Sequence, residues 1–378
     1  MTYAESETSA SLGGEFGGYL DTPSMGLPTA SGVAAMRAAV EEWAAGRGYF
    51  HVWERSMEAC RSTFAQMFGV TADEVGLLPS VVPAVSAVGA TIARGNGVVV
   101  AHRKEFRSLL LPILAQVGEQ RIRWVDGPYV ADTFTRSIDR DTDAVIVSAV
   151  SSHDGGRPSL ARLQAACANV GARLVVDGTQ AAGIVVPDVP IRELSLFVCA
   201  GYKGLRGPRG VAYATAQDDA VTGFSAPSCY GVADGDERGS YGPPLLPKTG
   251  APGLDQSPAW LAWVAAEPAL AELAKQPAYQ RQELILGLAV RVRDHVEFLG
   301  LEPQQTDLPS SIVSFACDDP AGLVSQLAQA GIRAAYKLGR VRLGFHIYNS
   351  ERDVELVCQE LDRLVQPTRG TQAKEPQT

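Results

Sequence analysis

Short β-branched runs alternate with helical patterns between about residues 64 and 215, and this alternation constrains the fold most strongly. The runs are GVVVAH, DAVIVSAV, ARLVVDGT and RGVAYAT, and stretches such as PSLARLQAACANVG separate them. Strands that alternate with helices form a mostly parallel sheet whose two faces the helices cover. The sequence therefore predicts an α/β domain built on such a sheet.

Polar residues end two of these runs and mark where a site is expected. Residues 148–151 follow one run, and residues 177–180 follow another. Ligands of parallel sheets bind at the carboxyl ends of the strands, so we expect both groups to border one pocket.

A second region begins near residue 256. Helical QSPAWLAWVAAEPALAELAKQ leads into a longer helix, and strand-like SSIVSFAC and RVRLGFHI then alternate with helical PAGLVSQLAQAG and SERDVELVCQELDRLV. This α+β pattern is typical of a small separate lobe. The predicted organisation is a partly flexible segment over 1–18, a large domain over 19–255, a small C-terminal domain over 256–365 and a disordered polar tail over 366–378.

The composition is that of an ordinary globular protein. Of the 378 residues, 46% are hydrophobic and 20% are charged, and the formal net charge is −9. An acidic balance without basic runs does not attract a phosphate backbone, so nucleic acid is not expected as a partner. Apolar stretches are too short to cross a bilayer, and the N-terminus does not resemble a signal peptide. We therefore expect a cytoplasmic protein without membrane contact.

The six cysteines are scattered along the chain and form no CxxC pair. Neither a zinc site nor a redox couple is therefore predicted, and no metal is expected. Buried free thiols are the simpler interpretation.

The most informative stretch reads VVDGTQAAG and, after a spacer, FVCAGYKGLRGPRGVAYA. A lysine in a Gly-rich turn at a strand end, with an aspartate at the end of the preceding strand, fits the chemistry of pyridoxal 5′-phosphate (PLP). The Lys203 amine would form the Schiff base. The Asp177 carboxylate would keep the pyridine nitrogen protonated, so that the ring accepts electrons from the substrate α-carbon.

The motif DxxQAxG, followed by the GYK turn and the GPxG run, resembles the class V aminotransferase family of fold type I PLP enzymes. That family includes kynureninases, cysteine desulfurases, isopenicillin epimerases and several carbon–sulfur lyases. The resemblance implies that Lys203 carries the cofactor, that Asp177 pairs with its ring nitrogen, and that Gln180 reaches its phenolic oxygen or the phosphate neighbourhood. A single lysine in a glycine loop would otherwise be interpreted as a solvated surface residue.

Two segments before the sheet extend the resemblance. YLDTPSMGLPTASGVAAM is similar to the family's opening segment, which implies that Ser24 and Gly26 line the substrate pocket. LLPSVVPAVSAVG stands where the family has the turn that opens a phosphate-binding helix. The backbone N–H groups of Ser80, Val81 and Val82 are then expected to hold the cofactor phosphate, helped by the helix dipole.

Three further segments resemble segments of the class V aminotransferase family. HRKEFRSLLLP places Phe106 as the ring stacked over the cofactor, with a core aromatic as the alternative. SAVSSHDGGRPSL places Ser151 at the cofactor's phenolic oxygen. RVRLGFHIYNSERDVELV resembles the small-domain signature, in which Arg342 would clamp the substrate α-carboxylate with its planar guanidinium. A surface salt bridge is the alternative for Arg342.

The phosphate turn departs from the family pattern. Val81 and Val82 replace the usual hydroxyl residues, Ala200 replaces a common Ser, and Tyr202 stands where many relatives have His. The resemblance then implies that backbone amides, Tyr202 and residues of a second subunit anchor the phosphate, because the family builds its sites across a homodimer interface. Ser257 is the candidate hydroxyl for the neighbouring subunit's phosphate.

Two other segments bear on the reaction. The loop GIRAAYKLGRVR contains no cysteine, so a persulfide-forming cysteine desulfurase is not expected, whereas a lyase that needs no protein thiol remains possible. GRGYFHVWERS, with His51, and the loop PSCYGVADGDERGSYGPP are candidates for contact with the substrate side chain. Helix packing and dimer contacts are the alternatives for both.

The sequence thus predicts a PLP-dependent enzyme that acts on an amino-acid substrate. The resemblance to sulfur-processing lyases of natural-product pathways, of the lincosamide or ergothioneine type, favours an S-cysteinyl conjugate. Either β-elimination of the C–S bond or decarboxylation coupled to oxidative deamination would follow. An aminotransferase or epimerase of the same family, and a non-catalytic binding module, stay open. A nucleotide-binding enzyme lacks its GxGxxG motif.

Overall fold

The computed structural model describes residues 18–221, 227–232, 241–243 and 245–365. The expected tail over residues 366–378, and the expected N-terminal segment apart from residue 18, lie outside the described residues. Within the described ranges, no helix is both long enough and apolar enough to cross a membrane.

The described elements alternate as the sequence predicts. In chain order, the strands are β1 (Gly18–Tyr19), β2 (Gly76–Leu78), β3 (Val98–His102), β4 (Ile122–Val125), β5 (Thr142–Ser148), β6 (Arg173–Asp177), β7 (Leu196–Ala200), β8 (Ala212–Ala216), β9 (Ile312–Ala316), β10 (Ile332–Arg333), β11 (Ala335–Lys337) and β12 (Arg340–Gly344). The α-helices are α1 (Ala30–Ala44), α2 (Phe50–Phe68), α3 (Val82–Ile92), α4 (Arg107–Val117), α5 (Ala131–Thr135), α6 (Leu160–Val170), α7 (Trp260–Ala274), α8 (Ala278–Phe298), α9 (Pro320–Gln329) and α10 (Glu351–Leu364).

A seven-stranded sheet in the order β2-β8-β7-β6-β5-β3-β4 forms the centre of the molecule. The pairs from β7 through β4 are parallel, and β8 is antiparallel to both of its neighbours. The predicted α/β fold with a mostly parallel sheet is confirmed.

The continuous apolar runs arise because both faces of this sheet are buried. Along β5, Val145 and Val147 point into one core, and Ala144 and Ile146 point into the other. Strands covered on both faces need apolar side chains at every position, so they do not alternate with polar residues.

The C-terminal lobe contains an antiparallel sheet in the order β11-β12-β9, with α8, α9 and α10 packed beside it. Several contacts connect it to the rest of the chain. β1 pairs with β10 in parallel, and α7 packs against α1 and α2 rather than within the lobe. The domain boundary at residue 256 therefore stays a prediction.

Local signals explain where the helices begin. Ser350 caps α10 in a capping box with Asp353, as expected for the cap before residues 351–364. Thr29 accepts a hydrogen bond from Gly32 N at the start of α1, and Ser159 accepts one from Arg162 N at the start of α6. Such bonds satisfy N–H groups that the helix leaves without a partner.

Candidate active site

A cavity opens at the carboxyl ends of β5, β6 and β7. Asp177 lies opposite Ser148 on β5 and opposite Val198 on β7, so the polar residues after β5 and β6 border one pocket, as predicted. The N-terminus of α3 and the loop before β8 complete the wall. The predicted site residues that line this cavity are Ser80, Val81, Val82, Phe106, Asp177, Gln180, Tyr202 and Lys203.

Lys203 lies in the turn after β7, and its side chain faces the cavity although only 4% of the residue is exposed. Its Nζ lies 5.6 Å from the ring centroids of both Phe106 and Tyr202. Burial lowers the pKa of Lys203 to about 8, and the Asp177 charge partly opposes this shift. The amine is therefore much closer to its uncharged, nucleophilic form at neutral pH than an ordinary lysine is.

Gly26 holds the backbone of the lysine turn. Its N–H donates to the Tyr202 carbonyl at 3.0 Å, and a Cβ at this position would lie 2.1 Å from the Lys203 carbonyl oxygen. Only glycine allows this approach of the two backbones. Gly26 thus contacts the main chain of the predicted catalytic lysine rather than lining the cavity with a side chain.

Asp177 ends β6 and is fully enclosed. Its Oδ1 accepts a hydrogen bond from Thr179 N at 2.8 Å, and Thr179 Oγ1 accepts one from Ala200 N at 3.0 Å. Burial raises the pKa of Asp177, whereas the Thr179 hydrogen bonds and the Lys203 charge lower it. The Thr179 contacts connect the ends of β6 and β7, which fixes the carboxylate relative to the Lys203 turn.

Gln180 and the α3 N-terminus present further polar groups. Gln180 Nε2 donates to the Pro23 carbonyl at 2.9 Å, which orients the amide within the lining. α3 begins at Val82 after Val81 as its N-cap, without a side-chain cap, and Pro83 occupies the first turn. The first N–H groups of an uncapped helix are available to an anion.

These residues fit PLP. A buried carboxylate suits a cationic ring nitrogen, and the Lys203 amine suits the cofactor aldehyde. The uncapped start of α3, lining the same cavity, suits a phosphate. The cavity therefore has a group for each polar part of the cofactor.

Arg342 lies behind this wall on β12 and is 1% exposed, so it is not a surface residue. Its guanidinium donates to Ser24 Oγ at 2.9 Å and to the Ser152 carbonyl, and the Asp21 carboxylate lies 3.7 Å away. Arg342 Nε is buried and has no hydrogen-bond partner among the residues that the structure describes. Ser24 and Arg342 are thus brought together, and Ser152 connects them to the lining.

Besides Ser24, Gly26 and Arg342, three further predicted residues lie outside the lining. Ser151 is buried, and its hydroxyl accepts backbone hydrogen bonds from His153 and Asp154, because the turn after β5 directs Val150 and Ser152 to the cavity instead. His51 is exposed on the first turn of α2, with Nδ1 3.2 Å from Glu54. Ser257 is exposed just before α7.

Sequence reasoning did not single out Ser108, Ser148, Ser152, Thr179 or Arg209, which also line the cavity. Ser148 and Thr179 fall within the two predicted polar groups. Arg209 belongs to the GPRG run, where a cation in a Gly-rich loop at a strand end was a signal that could have identified it.

A buried carboxyl also supports Phe106. Glu105 accepts hydrogen bonds from Ser148 Oγ at 2.7 Å, from Phe106 N at 2.7 Å and from the Tyr129 hydroxyl. Burial raises the pKa values of both Glu105 and Tyr129. This network fixes the start of α4 against β5 and so positions the Phe106 ring near Lys203.

The fold and this cavity define a family of PLP-dependent enzymes. The model of the family Aminotransferase class-V matches residues 44–357 of the chain. The chain therefore belongs to the class V aminotransferase family.

Known proteins of several kinds resemble the chain. A probable cysteine desulfurase of Pyrococcus abyssi is 25% identical over 229 residues, which is 53% of this chain and about half, 54%, of that relative. The apo structure of a cysteine desulfurase from Thermococcus onnurineus has a TM-score of 0.78 at 17% identity, with 97% of this chain and 99% of that one covered. The cystine C–S lyase C-DES, in complex with its product cysteine persulfide, has a TM-score of 0.76 at 18% identity, with 91% and 96% covered. At these identities the structural likeness shows the fold.

Proposed function

We propose that the protein is a PLP-dependent lyase that cleaves the C–S bond of an S-cysteinyl conjugate by β-elimination, in secondary metabolism. The observation that supports this most is the buried Lys203 amine, which lines the same cavity as Asp177, and no described cysteine lines that cavity. A persulfide-forming desulfurase needs a thiol at its site. Elimination needs only a base for the α-proton and a leaving thiolate.

Each residue has a role in this reaction. PLP supplies the covalent attachment of the substrate amine and accepts the electrons released at the α-carbon. Lys203, with its pKa lowered to about 8, is suited to take the α-proton near neutral pH. Asp177 would pair with the ring nitrogen and favour its protonated form. Arg342, oriented by Ser24, would hold the substrate carboxylate with its unpartnered Nε.

The balance of the elimination is simple. The α-proton goes to Lys203 Nζ, the Cβ–S bond breaks, and the sulfur leaves with the bonding electrons as a thiolate. Water then hydrolyses the remaining three-carbon unit and releases its nitrogen. The products are therefore a thiol, pyruvate and ammonium. The competing reaction, decarboxylation coupled to oxidative deamination, would consume oxygen and water and give CO₂, an aldehyde, ammonia and hydrogen peroxide.

The proposal includes a homodimer with shared sites. Val82 and Phe106, at the cavity, are exposed to 38% and 42%, and aromatic side chains at and before the start of α2, namely Trp43, Tyr49 and Phe50, are also exposed. Contiguous exposed apolar residues are typical of interaction surfaces. A second copy that covers them would bring Ser257 and His51 into their proposed roles and exclude water from the cavity.

The experiment is to incubate the PLP-loaded protein with an S-cysteinyl conjugate of a small thiol and to quantify pyruvate and free thiol. Equal amounts of both are expected. Lys203→Ala should lower the rate at least about a hundredfold, whereas Lys275→Ala, at the end of α7, should leave it unchanged. CO₂ and an aldehyde would instead favour oxidative decarboxylation, and an amino-group transfer to a keto acid would favour the aminotransferase alternative.

The non-catalytic binding module is the alternative from another class. Its support is the absence of hydroxyl side chains at Val81 and Val82 in the phosphate turn. The buried residues Lys203, Asp177 and Arg342 argue against this alternative, because burying charged groups costs free energy and brings a binding module no benefit.

A further inference from the structure

Arg209 lines the same cavity as the turn that is expected to hold the cofactor phosphate. It follows Pro208 in the loop between β7 and β8 and lines the cavity together with Ser80, Val81 and Val82 at the start of α3. The loop that carries Lys203 therefore also brings an arginine to the cavity that the start of α3 lines.

The phosphate turn itself offers little charge. A phosphate monoester carries a charge of about −1.5 to −2 at neutral pH, whereas a helix N-terminus contributes only about half a positive charge. Val81 and Val82 are apolar, and Ala200, which also lines the cavity, has no hydroxyl. The Lys203 amine is committed to the cofactor aldehyde. Another cation is needed near the start of α3.

The Arg209 guanidinium is available for this role. Its Cζ lies 4.9 Å from the centroid of the Tyr202 ring, the same ring that Lys203 Nζ approaches to 5.6 Å. Among the described residues, none forms an ion pair or hydrogen bond with this guanidinium. Arg206, three residues earlier, is by contrast engaged with the carbonyls of Leu27 and Pro28.

We infer that Arg209 binds the cofactor phosphate and replaces the hydroxyl residues that the α3 turn lacks. Its planar fork of donors matches two phosphate oxygens, and the Tyr202 ring supports the guanidinium face. This inference rests on the PLP-dependent function proposed above. It adds a phosphate ligand from this chain to the backbone N–H groups of α3.

The test compares two forms of the cofactor that differ only in the phosphate. Apo forms of the wild-type protein, Arg209→Met, Arg209→Lys and Arg136→Met are titrated with PLP and with pyridoxal, and absorbance gives each Kd. Methionine keeps the aliphatic stem over Tyr202 without the charge. Arg136, an exposed arginine after α5, is the matched control.

Arg209→Met should raise the Kd of PLP at least about tenfold and leave the Kd of pyridoxal unchanged. The PLP Kd of Arg209→Lys should lie between those of the wild type and Arg209→Met, because lysine keeps the positive charge but lacks the planar pair of donors. Arg136→Met should bind PLP and pyridoxal as the wild type does. Unchanged PLP affinity in Arg209→Met, or an equal loss for PLP and pyridoxal, would overturn the inference. A wild-type protein that binds neither compound would overturn the proposed function and this inference with it.

Discussion

Lys203 shows how the fold prepares a side chain for chemistry. The end of β7, the close contact with Gly26 and the rings of Phe106 and Tyr202 bury an amine that has no hydrogen-bonded counterion among the described residues. Desolvation penalises the charged form, so the pKa decreases. The nearby Asp177 carboxylate limits the decrease without reversing it.

The pH dependence of cofactor capture follows from this shift. Only the uncharged amine attacks the cofactor aldehyde, so the capture rate should rise with pH through a midpoint at about 8 and level off above it. Stopped-flow absorbance of the apo-protein mixed with PLP measures the rate. In Asp177→Asn the midpoint should move lower, because the carboxylate raises the lysine pKa. A rate that still rises toward pH 10 would mean that Lys203 is an ordinary exposed lysine.

Among individual residues, the sequence predicted those that lie at or just after the end of a strand. Asp177 is the last residue of β6 and Lys203 lies in the turn after β7, so both could be assigned to one cavity from the sequence. Ser151 differs because it lies in a turn, where a shift of one residue decides which side chain faces the cavity. The burial of Arg342 depends on packing between β12 and the segment around Ser24, which are far apart in the chain.

Elements are connected by a few buried polar contacts. Arg61 on α2 is buried and donates to Asp255 Oδ2 at 2.8 Å and to the Val75 carbonyl. Asp255 also accepts from Leu77 N at 2.7 Å. This ion pair and its hydrogen bonds therefore connect α2, β2 and the segment before α7.

Arg61→Met should destabilise the protein by about 3 kcal/mol, the lower end for breaking a buried ion pair, because the buried Asp255 carboxylate keeps only the Leu77 N–H and the Lys248 amine 3.8 Å away. Urea denaturation followed by circular dichroism measures the change in the free energy of unfolding. Arg47→Met removes an exposed arginine paired with Glu42 and should leave the unfolding midpoint unchanged. Equal effects of the two substitutions would contradict the structural role of Arg61.

The strands were predicted best where both faces of the sheet are buried. β3, β5, β6 and β8 have β-branched runs, which the sequence showed directly. β2 and β4 are short, and no alternating or continuous pattern distinguishes them. Packing of α7 against α1 and α2 could not be predicted, since helical periodicity shows that a face is buried but not against which partner.

The whole molecule presents apolar side chains that one copy does not cover. The proposed homodimer predicts a mass of twice 40.0 kDa, and sedimentation velocity measures it. Phe50→Glu should shift the protein toward the monomer, because it places a charge among the exposed aromatic side chains of Trp43, Tyr49 and Phe50. Phe298→Glu, which changes an exposed aromatic residue at the end of α8, should not. A wild-type monomer at micromolar concentration would refute the shared-site arrangement.

The central claim is that Lys203 carries PLP, and the absorbance spectrum of the purified protein tests it most directly. The wild-type protein should show a visible band that borohydride removes by fixing the cofactor to the lysine. Lys203→Ala should lack this reducible protein–cofactor bond, and mass spectrometry after reduction should find the cofactor only on the wild-type chain. A wild-type protein that stays colourless with added PLP would contradict the claim.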